Sequence, residues 1–290
     1  MITGFLGYGV HGDDREGRGL MSFADWRVRI GAPPLLLGLA WVVNNCPLGF
    51  LLRGFQVWIH EFGHATAAWM VGRKATPLPI GWANIEPEFS LIVYFGVLFL
   101  FAMFARSGWR EGRPYPVFFA GLGATVQAWL TWCVPAQTQE LAITWSGVGG
   151  EFYLGALMMA TFFVRLPQWF QWGGCRYFFF FVGASALLAA TGFWRDVYQG
   201  VEDIPMGSMI HGEDDADGDM TRLTDEFGWA ATLIPRRYLL LATGCWAALL
   251  VVYAWYAARF DRVLARAGSA FALWLEKTRY TTRDCSSGNP

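Results

Sequence analysis

Blocks of apolar residues constrain this chain more than any other feature of its sequence. They fall at 33–52, 54–71, 89–105, 114–134, 150–166, 176–194 and 238–259, most of them near the roughly 17 to 25 residues a helix needs to cross hydrocarbon. Lipid offers the backbone no hydrogen bonds, so a spanning segment must satisfy its own amides, and only helices and closed barrels do so. The alternating segments of about ten residues that a barrel requires are missing. The sequence therefore predicts an all-α polytopic membrane protein with six or seven transmembrane helices. The block at 33–52 decides between the two counts: Pro33, Pro34, Asn44, Asn45, Pro47 and Arg53 interrupt it, and a surface or re-entrant helix fits it too.

Composition agrees with lipid as the solvent. Of the 290 residues, 54% are hydrophobic and only 16% charged, against about 25% charged in a soluble domain. A net charge of -1 gives nucleic acid nothing to bind. The five cysteines form no C-x-x-C pair, so neither a disulfide framework nor a cysteine metal site is expected. The expected partners are the lipid bilayer and a membrane-protein substrate.

Three regions follow along the chain. Residues 1–32 form a polar N-terminal segment of glycine and mixed charge, without the pattern of a cleavable signal. Residues 33–260 form the membrane domain, and residues 261–290 a basic C-terminal tail. Two connections stand apart. Residues 72–88, GRKATPLPIGWANIEPE, hold three prolines and read as an extended or hairpin-like excursion. Residues 195–237 form a long loop with the acidic run HGEDDADGDMTRLTDE. Arginines gather on one side, at Arg106, Arg110, Arg165 and Arg176 and along the tail, which places the tail in the cytoplasm and the acidic loop outside. The expected location is an inner or plasma membrane.

Inside the block at 54–71 lies His60-Glu61-Phe62-Gly63-His64, an H-E-x-x-H motif. Ionisable groups are expensive at that depth and mark functional sites by default. Spacing of four residues sets both imidazoles on one helical face, one turn apart, within reach of one zinc ion. Glu61 need not bind the metal; its role is to take a proton from the attacking water and deliver it to the leaving amine. Buried histidines satisfied by carbonyls are the ordinary alternative, and three unpaired polar groups in lipid make it costly. A tetrahedral zinc with two histidine ligands needs one more protein group besides water. The other histidines are His11, in the polar N-terminal stretch, and His211, in the acidic loop.

A membrane helix with this motif, followed by HATAAWMVG and by the proline-containing TPLPIG, resembles the site-2 protease family of intramembrane zinc metalloproteases. That resemblance implies zinc-dependent cleavage of a substrate's own transmembrane helix, with an extended segment at 73–80 presenting the substrate. It also implies an Asp-Gly pair far downstream whose aspartate is the third ligand. Asp217-Gly218 is the match, with Met220 and Leu223 after it to anchor the segment, and His211 is the alternative ligand. The family has an apolar lead-in with a proline where this chain has HGEDDA. The four apolar blocks between the metal helix and the acidic loop return the chain to the same face.

Other intramembrane polar residues have milder readings. Gln127, Thr125 and Glu151 suit interhelical hydrogen bonds or a cavity lining. Asn44 and Asn45 suit a helix break, and tryptophans such as Trp109, Trp145, Trp169 and Trp172 suit an interfacial belt. Two other functions compete: a membrane structural or assembly protein with a metal site, which has no use for Glu61, and a membrane metallohydrolase of lipid or amide substrates.

Overall fold

The computed structural model describes residues 26–112, 114–163, 175–207 and 217–257. They are mostly helical: α1 (Trp26–Asn44), α2 (Gly49–Met70), a hairpin of β1 (Arg73–Leu78) and β2 (Trp82–Phe89), then α3 (Leu91–Arg110), α4 (Pro114–Trp132), α5 (Ala136–Thr161) and α6 (Cys175–Gln199). A three-residue α7 (Asp219–Thr221) runs into a π-helical turn (Arg222–Glu226), and α8 (Leu233–Ala257) follows. Pro34–Leu249 form one compact unit. The described residues before 34 and from 250 on belong to a second, in which the Tyr253 hydroxyl donates to the Ile30 carbonyl at 2.9 Å.

Among the described residues three helices, α3, α6 and α8, are long and apolar enough to cross a membrane, and a fourth span is added if α1 and α2 count as one broken span. The six or seven spans predicted from the apolar blocks are not recovered at that standard. Residues 28–44 and α2 meet at 106°, which matches the interruption read at the first block. Asn45 donates to the Trp41 carbonyl at this break, while Asn44 reaches across to α6, donating to the Ser185 carbonyl at 2.9 Å and accepting from the Ser185 hydroxyl at 2.7 Å.

Helix α5 begins at Ala136, not near 150, because its polar first turns find partners inside the protein. The Gln139 amide donates to the Leu130 and Val134 carbonyls at the end of α4, and Glu140 pairs with Arg73 of β1. Polar side chains that break an apolar block need not break a helix when their hydrogen bonds are met.

The core lies where α2, α5 and α6 cross. Glycines set the separations: a Cβ on Gly150 would strike the Gly63 Cα, and one on Gly183 would lie 2.6 Å from the Gly155 carbonyl oxygen. Such absent side chains let backbones approach closely, the usual device of helix packing in membranes. Ile59 packs with Val182 and Ala186 on one side of α2, and Ala68 and Val71 pack with Ile143 on the other. The hairpin is the predicted excursion. Its strands are antiparallel with Ala75 opposite Ile85, and the Trp69 indole donates to the Ala75 carbonyl at 3.0 Å, fastening β1 to the end of α2.

Candidate metal centre

Helix α2 carries His60, Glu61 and His64 in a single turn, as their spacing demands. Its neighbour α5 turns two buried glycines toward it, Gly147 and Gly150. A Cβ on Gly147 would collide with the His64 imidazole and lie 2.6 Å from a carboxylate oxygen of Asp219. That glycine keeps open the space in which three side chains meet.

The three are His60, His64 and Asp219, whose ligand atoms lie within 4.8 Å of one another. His60 Nε2 and His64 Nε2 each stand 3.1 Å from Asp219 Oδ2, and 3.2 Å from each other. Ligands on one tetrahedral ion at bond lengths of about 2.0–2.1 Å are separated by about 3.3 Å, so the triangle has the size of one metal's coordination face. The far side of each ring is already engaged. His64 Nδ1 is 2.8 Å from the Ile143 carbonyl oxygen, and His60 Nδ1 is 2.9 Å from Glu151 Oε1. Both partners accept, so both Nδ1 atoms carry the proton and, in the neutral rings, both Nε2 atoms are bare lone pairs. Two lone pairs and a carboxylate oxygen converging at this range repel unless a cation lies among them. The group is fit to hold a metal ion, with imidazole orientation set from behind as metal sites commonly require.

The Asp219 side chain is largely enclosed beside the two imidazoles, 19% of it exposed. Glu61 is buried beside them, within electrostatic range of His60, His64 and Asp219. Thr66 and Tyr153 brace the turn between the histidines, each hydroxyl bonding the Gly63 carbonyl, at 2.8 and 3.0 Å.

A residue of the loop does reach the two histidines, but a different one from the match to the Asp-Gly pair. Asp217, the aspartate matched to the Asp-Gly pair, is an exposed turn residue outside the group; Asp219, two positions later, takes the place expected of it. Packing explains the shift. Met220 and Leu223 are buried, which docks α7 and the π turn, and Gly218 is pressed against the Gly207 carbonyl with no room for a Cβ. Asp219 opens the docked helix, whereas Asp217 precedes it. His211 lies outside the described residues. Glu151, read in the sequence as one of several polar residues, orients His60; Gln127 instead donates to the Tyr94 carbonyl on α3, and Thr125 to the Gly121 carbonyl of its own helix. Trp145 is half-buried, its ring stacked on Tyr238 with centroids 6.0 Å apart. Neither Glu151's role nor the Ile143 carbonyl leaves a local sequence signal, since both depend on how α5 is rotated against α2.

Compared with protein-family profiles, with curated proteins and with solved structures, the chain matches none.

Proposed function

We propose that the chain is a membrane-embedded zinc metalloendopeptidase, similar to the site-2 proteases, that hydrolyses peptide bonds in or near the transmembrane segments of other membrane proteins. The observation that carries this reading is the convergence of His60, His64 and Asp219 in one ligand triangle with Glu61 buried in the same helical turn. Two imidazoles and one carboxylate leave a tetrahedral ion an open position, the mark of hydrolytic rather than structural zinc. A structural site has no use for Glu61.

A bound zinc supplies Lewis acidity toward a scissile carbonyl and an attacking water. Glu61 takes the proton from that water and returns it to the departing amide nitrogen. Glu151 and the Ile143 carbonyl hold the imidazoles in one tautomer and one orientation throughout. The hairpin supports a peptide substrate in particular, because β1 follows the metal helix after two residues and, among the described residues, pairs with β2 alone. An unwound substrate segment would add to such a hairpin as a further strand.

Metal analysis of the purified protein tests the site, with about one zinc per chain expected and its loss in a His60→Ala, His64→Ala double variant. Cleavage of a panel of transmembrane peptides tests the activity, and Glu61→Gln is expected to keep zinc while losing cleavage. A metal-free parent protein, or full cleavage by Glu61→Gln, overturns the reading.

A further inference from the structure

Apart from the metal group, α5 and α8 leave between them a groove of about 630 Å³. Trp145 and Tyr153 of α5 form one wall, Leu241, Gly244 and Ala248 of α8 the other, and Arg237 closes one end. Gly244 is not there for helix contact, since a Cβ built on it meets nothing within 4 Å. Its absent side chain is groove space.

The dimensions select an occupant. From Arg237 to Ala248 the helix rises about 16 Å at roughly 1.5 Å per residue, close to half of the roughly 30 Å hydrocarbon thickness of a bilayer. A single acyl chain is slender enough and, in one leaflet, long enough. Charge sits at one end only. The Arg237 guanidinium lies 3.7 Å over the Trp229 ring, and Arg236 beside it lies 6.0 Å over the Tyr198 ring. Stacking engages the flat face of a guanidinium and leaves its in-plane N–H donors for an oxyanion. Among the described residues no carboxylate forms an ion pair with either arginine.

We propose that this groove binds an anionic glycerophospholipid, one acyl chain lying between α5 and α8 and the phosphate held at Arg237. The proposal rests on α8 crossing the bilayer, which its length and composition allow, and not on the metal centre.

The test uses the full chain in nanodiscs of phosphatidylcholine carrying a small fraction of phosphatidylglycerol with a diazirine in one acyl chain. After illumination, peptide mass spectrometry is expected to place adducts at Tyr153 and along 241–248. Arg237→Gln is expected to lower their yield about fivefold, in line with the weight of one basic residue on anionic lipid, and Arg237→Lys to restore most of it. Gly244→Trp, which fills the groove, is expected to abolish them; should it fail to fold, the Gln and Lys variants of Arg237 still decide. Unlabelled phosphatidylglycerol is expected to outcompete phosphatidylcholine. Equal competition by the two lipids, adducts spread over the outer faces of α3 and α8, or displacement of the label by a transmembrane peptide instead of by lipid would overturn the proposal. None of these readings requires proteolysis, so its failure and that of the protease reading are separate.

Discussion

At the residue scale the decisive side chain is Asp219, because it turns two histidines into a three-atom face of metal-ligand size. Asp219→Ala is expected to lose the metal, while Asp217→Ala, altering an exposed residue two positions away, keeps it; zinc content by mass spectrometry of the two purified variants checks this. Glu151→Gln keeps a hydrogen bond to His60 but loses the negative charge behind the ring. Removal of such an outer carboxylate commonly costs about 10- to 100-fold in metal affinity, measurable by competition with a chromophoric chelator. Glu61→Gln has the opposite signature: metal affinity near that of the parent and a loss of turnover of about 10²-fold or more.

At the element scale the site exists because α2 and α5 come together backbone to backbone beside it. Gly63 and Gly150 are the contact, and Gly147 opens the cavity beside it. Gly150→Val would force the helices apart, at about 1–3 kcal/mol for overpacking, and should lower the thermal midpoint in detergent together with the metal content. Gly147→Ala is the finer probe, for its methyl meets His64 and Asp219 directly: metal loss is expected with much less effect on the fold. Glu140 joins three elements, pairing with Arg73 of β1 and standing 3.9 Å from Arg222 in the π turn. Glu140→Ala would leave the buried Arg73 without this partner, and faster proteolysis of the hairpin under native conditions is the expected result.

For the whole molecule, the helix count by apolarity is smaller than the count by apolar blocks: among the described residues α4 and α5 fall short, α5 carrying Glu140 and Glu151, and α2, with His60, Glu61 and His64, counts only together with α1. A helix enclosed by other helices has no need to be apolar on every side. Retention in the membrane pellet after a carbonate wash is expected of an integral protein. The arginine distribution predicts that residues 195–237 lie outside the cytoplasm. A single cysteine placed at Glu202, which is exposed, in an otherwise cysteine-free chain should react with an impermeant maleimide in intact cells. Labelling only after lysis would place the loop, and with it the face from which Asp219 enters, on the cytoplasmic side.

Local periodicity made the helical character, the hairpin after α2 and the pairing of His60 with His64 legible from the sequence, because each depends on residues within a turn or two. A four-residue spacing brings two imidazoles together in any helix. Tertiary structure alone chose Asp219 over Asp217, set Glu151 behind His60 and started α5 at Ala136. Asp219 and His60 are separated by 159 positions, and across that interval the register of the loop is decided by what it docks: Met220 and Leu223 into the core, Gly218 against Gly207. A slip of two residues moves a different carboxylate to the histidines, and the spacing of charges in HGEDDADGDMTRLTDE holds no information about such a slip. The energy that distinguishes the registers is apolar burial and backbone clearance, which exist only once α2, α5 and the loop are in contact.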